Sequence, residues 1–141
     1  GHLVFGTLHT TTAISTVDRL IDQFPSEQQA QIRMMLSGAL KGVVAQNLLK
    51  RKGGGRVAAL EILIVNQAVQ ALIREAKTSQ IMSIMQTAKK EGMTLLNEEL
   101  ARFVKEGVVE FDEAYWKAAD KDAFCKTCES AGITFTRPAE W

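Results

Sequence analysis

No run of this chain approaches the roughly 18 apolar residues that a membrane-spanning helix needs. Glu61 interrupts the best candidate, "VAALEILIV". Cysteine is nearly absent: Cys125 and Cys128 are the only two, which excludes the dense disulfide framework of a small secreted domain. Charge of one sign is lacking as well. Seventeen Lys and Arg against 16 Asp and Glu leave a formal charge of +1, so no basic excess exists to neutralise a phosphate backbone, and no nucleic-acid partner is expected. There is no internal repeat, no low-complexity tract and no visible signal peptide. A phosphate-binding loop, G-x-x-x-x-G-K followed by Ser or Thr, occurs nowhere; "GGGR" has glycines and a cation without that spacing.

What is present is a globular composition, 46% hydrophobic and 23% charged, enough for one domain or two small lobes. Residues 2–9, "HLVFGTLH", have the composition of a buried strand, bracketed by His2 and His9 and followed by Thr10, Thr11 and Thr12 as turn or helix-cap residues. A chain opening inside a core strand looks truncated. "TTTAISTVDRLIDQF" then sets Ala13, Val17, Leu20 and Ile21 on one helical face. Pro25 ends that helix and Ser26 is expected to cap a second, with Ile32, Met35, Leu36 and Leu40 as its apolar positions.

After Gly42 two β-suited runs flank "KRKGGGR", which predicts a β-hairpin whose glycines reach positive φ. Helices are expected over 66–76, 78–91, 94–106 and 111–119, with Thr78 as an N-cap and Gly92 and Gly107 as C-terminal cap glycines. Leu96, Leu100, Phe103 and Val104 give the third of these a buried stripe, and the tail "CESAGITFTRPAEW" has no clear period. "CKTC" is one pair with the histidines over a hundred residues away. Free thiols are therefore expected in place of a zinc site, and no metal site is expected in the chain. Met34, Met35, Met82, Met85 and Met93 read as core or interface filler.

Taken in order, four segments resemble the C-terminal part of a type IV pilus retraction ATPase, the PilT-type branch of the secretion ATPase superfamily. "GHLVFGTLHT" is similar to that family's His box, "STVDRLIDQFP" to the helix after it and "LLKRKGGGRVAALEIL" to its hairpin. "AVQALIREAKTSQI" is similar to the retraction motif AIRNLIRE. Together they cover about residues 1–106. The sequence departs from the family at Leu60, where many relatives carry histidine, and at Val69, Gln70 and Ala71, where the motif reads Ile-Arg-Asn.

The resemblance implies an α/β fold: the C-terminal part of a RecA-like ATPase core over 1–65, a helical lobe carrying the retraction motif over 66–118, and a tail of unknown role over 119–141. It also implies a homo-hexameric motor using ATP and Mg2+, at the cytoplasmic face of the inner membrane beside a pilus platform protein. In this family the phosphate loop, the acidic box and the Walker B segment precede the His box, so the chain alone is expected neither to bind nucleotide tightly nor to hydrolyse ATP.

His9 at a strand end suits hydrogen bonding to a γ-phosphate or its attacking water, because an imidazole both donates and accepts. A histidine there can equally be structural. His2 lies seven steps away, about 23 Å on a straight strand and on the opposite face, so it reads as a support, subunit-interface or packing residue. Thr7 and Thr10 offer hydroxyls to the nucleotide or simply satisfy the strand and cap the next helix. Arg19 reads as a subunit contact or as a surface ion pair with Asp18 or Asp22. Ala68, Leu72, Ile73, Arg74 and Glu75 carry the retraction motif, with Leu72 and Ile73 packing the lobe and Arg74 and Glu75 facing a neighbouring element. The alternatives are a non-enzymatic helical interaction or oligomerisation module, and the accessory or extension branch of the same superfamily.

Overall fold

In a computed structural model the chain is described over residues 1–139. The elements run α1 (Ala13–Asp22), α2 (Ser26–Ala39), β1 (Gly42–Lys50), β2 (Arg56–Ile64), α3 (Gln67–Arg74), α4 (Ile81–Thr87), α5 (Leu96–Lys105), α6 (Phe111–Lys117) and α7 (Lys121–Ser130). Single 3-10 turns at Thr78–Gln80 and Lys89–Glu91 flank α4, so the expected 78–91 helix is broken into three short pieces. The mixed α/β composition agrees with expectation.

The hairpin forms as expected. β1 and β2 pair antiparallel from Gly42↔Ile64 to Lys50↔Arg56, and Gly53, Gly54 and Gly55 all take positive φ in the loop. Paired residues of an antiparallel ladder share a face. One face carries Val43/Leu63, Ala45/Glu61, Asn47/Ala59 and Leu49/Val57 into the interior. Thr94 extends the ladder on the free edge of β2, exchanging two backbone hydrogen bonds with Ile62 at 2.9 and 3.0 Å.

Two apolar clusters share this buried face. The first joins Ala13, Val17 and Ile21 of α1 to Val43 and Leu63, to Val69 and Ile73 of α3, and to Ile81 and Met85 of α4. The second joins Leu49 and Ala59 to Leu96, Leu100 and Phe103 of α5, Ala114 and Tyr115 of α6, and Phe124, Cys125 and Cys128 of α7.

Several expectations are corrected. Residues 2–9 form no strand: no neighbouring strand pairs with them among the described residues, and Leu3, Val4 and Phe5 are 78%, 80% and 89% exposed. A β-suited composition is not enough without a partner to take its backbone hydrogen bonds. Without a strand, His2 and His9 are not held on opposite faces of one. Ser26 is the first residue of α2 and makes no cap bond, since Pro25 occupies the cap position. Met34 and Met35 are 61% exposed and Met82 is exposed, whereas Met85 and Met93 are buried. Thr78 caps nothing; its hydroxyl donates to Asp18 Oδ1 at 2.7 Å. The tail stretch quoted above is helical only at its start, Cys128–Ser130, and residues 133–139 take no regular structure; the helix comes mostly from the residues before it. α7 forms with Asp120 as its N-cap, and its Phe124, Cys125 and Cys128 are fully buried. Glu140 and Trp141, the end of the tail stretch quoted above, lie outside the described residues.

Candidate functional site

The segment following His9 is anchored from two sides, by its own helix and by the hairpin. Thr12 is the N-cap of α1, and its hydroxyl accepts from Ser15 N while donating to Ser15 Oγ at 2.7 Å. Thr16 Oγ1 donates to the Thr12 carbonyl at 2.8 Å, which uses its only proton. The 2.6 Å contact between the Thr10 and Thr16 hydroxyls therefore has Thr10 as its donor. The hairpin grips the same segment from the other side. Asn47 Nδ2 donates to the Thr11 carbonyl at 3.1 Å, and Ala13 N donates to Glu61 Oε1 at 2.8 Å.

Glu61 is the residue that sequence reasoning missed. It is only 3% exposed, and its second oxygen accepts from Leu96 N, at the start of α5, at 3.1 Å. Its one trace in the sequence is a single charge within the apolar run from Val57 to Ile64, at a position whose alternation faces the interior. A cavity of about 240 Å³ lies beside it, lined among others by Thr12, Met82, Leu95, Asn97 and Asp120. A larger, open depression of about 500 Å³ around Trp116 and Lys121 contains none of the predicted site residues.

Each predicted residue has a definite place. His9 is exposed immediately before the anchored threonines, while His2 and Thr7 are exposed on the unpaired opening segment. Arg19 is exposed on α1; Asp18, one of the partners considered for it, instead accepts from Thr78. In the motif, Ala68 is exposed, Leu72 is half-buried and Ile73 is fully buried in the cluster that also holds Val17 and Ile21 of α1. Arg74 and Glu75 are exposed. A hydrogen bond from Lys77 at 2.7 Å, reinforced by its charge, holds the Glu75 carboxyl below its ordinary range. α3 ends in a Schellman pattern, Ala76 N to Ile73 O and Lys77 N to Leu72 O, with Ala76 in the left-handed region at φ 57°.

The structure thus brings the helix after His9 and the segment from α3 to Thr78 together twice: through the shared apolar cluster and through the Asp18–Thr78 hydrogen bond. It does not assemble a metal site from them. Among the described residues no three His, Cys, Asp or Glu side chains converge to hold an ion. The neutral donors around His9 suit phosphate oxygens or water and do not by themselves fit Mg2+. The two thiols are buried in the second cluster, and burial pushes the Cys128 thiol up to about 11, with smaller contributions from Cys125 and Glu129.

Known proteins include clear relatives of this chain. The chain is 48% identical over 124 residues to a type IV pilus retraction ATPase, PilT, of Pseudomonas aeruginosa, covering 88% of this chain and 36% of that protein. A twitching motility protein of Neisseria gonorrhoeae is also 48% identical over 124 residues, with 87% and 33% covered. The chain therefore spans about a third of the length of the curated relatives it matches. Among solved structures, the pilus retraction motor PilT with bound ADP superposes with a TM-score of 0.79 at 45% identity, over 87% of this chain and 34% of that one. The Legionella pneumophila ATPase DotB, at 18% identity and a TM-score of 0.61, shares the fold. The family described as type II/IV secretion system protein matches residues 1–116, and to that family this chain belongs.

Proposed function

We propose that this chain is part of a homo-hexameric, ATP-hydrolysing motor that drives type IV pilus retraction, and hence twitching motility, at the cytoplasmic face of the inner membrane against a pilus platform protein. The observation that supports this most is the 45% identity and TM-score of 0.79 to the ADP-bound retraction motor over 87% of the chain. No helix among the described residues is long and apolar enough to cross a membrane, so contact with the platform protein would be made from a surface.

In this reading His9 meets the γ-phosphate or its attacking water, where its imidazole donates to a phosphate oxygen or accepts a water proton. Thr7 and Thr10 offer hydroxyls at the same edge, His2 is a support, and Arg19 lies at a subunit contact. Mg2+ would neutralise the phosphate oxygens from ligands outside the His9 segment. The motif from Ala68 to Glu75 does no chemistry. Leu72 and Ile73 seat it against the helix that follows His9, leaving Arg74 and Glu75 to transmit the nucleotide state to a neighbour as a conformational step.

The test joins this chain to the N-terminal two-thirds of the Pseudomonas aeruginosa relative and follows ATP hydrolysis. His9→Ala is expected to lower turnover about a hundredfold, a usual size for loss of a proton-transferring or phosphate-contacting side chain. Unchanged turnover removes His9 from the mechanism. Replacing Arg74 and Glu75 by alanine together is expected to leave hydrolysis within about twofold and to abolish pilus retraction, because binding of substrate and output are separate steps.

A further inference from the structure

We infer that Glu61 is a positioning residue, a single buried carboxylate that locks the segment after His9 to the start of α5 by holding the N-termini of two helices at once. Its consequence for catalysis rests on the motor reading above; the lock itself does not.

The geometry is specific. Oε1 takes Ala13 N at 2.8 Å and Oε2 takes Leu96 N at 3.1 Å, two amides 83 positions apart in sequence. Both belong to the group of first-turn N–H donors that a helix cannot satisfy internally. In α1 the Thr12 hydroxyl already serves Ser15 N, leaving Ala13 N for the carboxylate. In α5 the cap position is Leu95, whose side chain makes no cap bond, so Glu61 supplies what the local sequence omits.

Electrostatics explains why a nearly fully buried carboxylate is tolerated here with no ion pair to Lys or Arg among the described residues. Each helix N-terminus presents roughly half a positive charge, so two of them oppose about one negative charge. Small Ala45 stands opposite Glu61 on the buried face of the hairpin. Along that face Glu61 and Asn47 are the polar pair between apolar ends, and both hold the same stretch, Thr11–Ala13.

An apolar residue in this place would pack equally well against either helix but would define neither. The carboxylate fixes α1 and α5 to one β-strand through directional bonds, and with them the backbone that places His9. Misplacing a reacting group by about 1 Å costs on the order of a hundredfold in rate. Loss of the lock is therefore expected to appear in turnover without changing nucleotide affinity.

Two measurements test this. In the 141-residue chain, hydrogen exchange is compared between wild type, E61Q, E61D and the core control Val109→Ala. E61Q keeps the volume but turns one acceptor into a donor facing an N–H. Exchange at both Ala13 and Leu96, and at Ser15 and Thr16, is expected to quicken in E61Q and less in E61D, with α3 amides unchanged. V109A should loosen α5 and α6 without touching Ala13. Acceleration at only one helix, or no difference from V109A, overturns the lock.

In the joined motor, E61Q is expected to lower kcat about ten- to a hundredfold with KM for ATP within about twofold, and V109A to keep wild-type kcat per folded molecule. Should E61Q not fold, E61D carries the same comparison with an intermediate loss. A wild-type kcat in a folded E61Q or E61D motor overturns the positioning role while the motor reading stands. An active motor indifferent to His9→Ala overturns the His9 assignment and leaves the exchange result to judge the lock.

Discussion

The apolar cluster around α1, α3 and α4 is wholly aliphatic among its described members, while the one around α5, α6 and α7 holds Phe103, Phe111, Tyr115, Phe124 and Phe135. In the aromatic cluster Phe111 stacks on Phe135 at 4.4 Å and on Phe124 at 5.5 Å, and Arg137 pairs with Asp122 at 2.8 Å across the tail. Large rings with few rotatable bonds bury much surface in fixed orientations. The aliphatic cluster is filled instead by branched aliphatic side chains together with the adaptable Met85 and Met93. It is also the cluster that contains the helix after His9 and the retraction motif. The contrast teaches that one hairpin serves a braced core at its loop end and a more adaptable one at the other, with Glu61 and Asn47 as the polar seam between.

The largest expected effect is at the braced end. Phe124→Ala should destabilise the chain by about 3–5 kcal/mol, and Ile73→Ala in the aliphatic cluster by about 2–5 kcal/mol, both read from urea unfolding. If the hairpin couples the clusters, each variant shows one transition with coincident probes; two separate transitions would break the comparison into independent units.

A smaller loss concerns only the aromatic cluster. The folded Cys128 thiol is raised from the ordinary 9.0 to about 11, so the native state keeps a proton that the unfolded state has begun to lose. That contribution is fully present below pH 9.0 and is lost as pH rises from there to about 11. Urea midpoints across this window should fall, and Cys128→Ala should flatten the slope; an unchanged slope would show that Cys128 does not carry it.

A gain is expected at the exposed turn that ends α3. Ala76 holds φ 57° where glycine is the usual residue, so Ala76→Gly should raise stability by about 1 kcal/mol, visible as a higher Tm. A loss instead would mean that the left-handed turn after the motif is not strained. Smallest of all, Lys52→Ala removes an exposed pair with Glu110 at 3.1 Å and should change stability by less than about 1 kcal/mol. A larger effect would show that the hairpin tip is braced through this pair as well as through Lys52 N to Val108 O.

Legibility followed the range of the forces involved. The hairpin was readable because three glycines and a change from helical to alternating period are local signals, whereas which of three threonines caps α1 was settled only by the structure, as Thr12. α7 was less legible because its buried face is only three residues, Phe124, Cys125 and Cys128, in a helix otherwise rich in charge. The opening segment was misread because strand formation depends on a neighbour that sequence composition does not specify. Glu61 registered only as a break in an apolar run.

What the sequence by itself determined is therefore the order and kind of most elements, the hairpin, and the family to which the motifs point. Those follow from periodicity, caps and glycine, which act over a few residues. Only the tertiary structure decided that Ala13 and Leu96 share one carboxylate, that Asp18 turns to Thr78, and that the hairpin divides two unlike cores. Each of these joins residues far apart in sequence, and its strength comes from burial, a property that no single residue carries before the chain has folded.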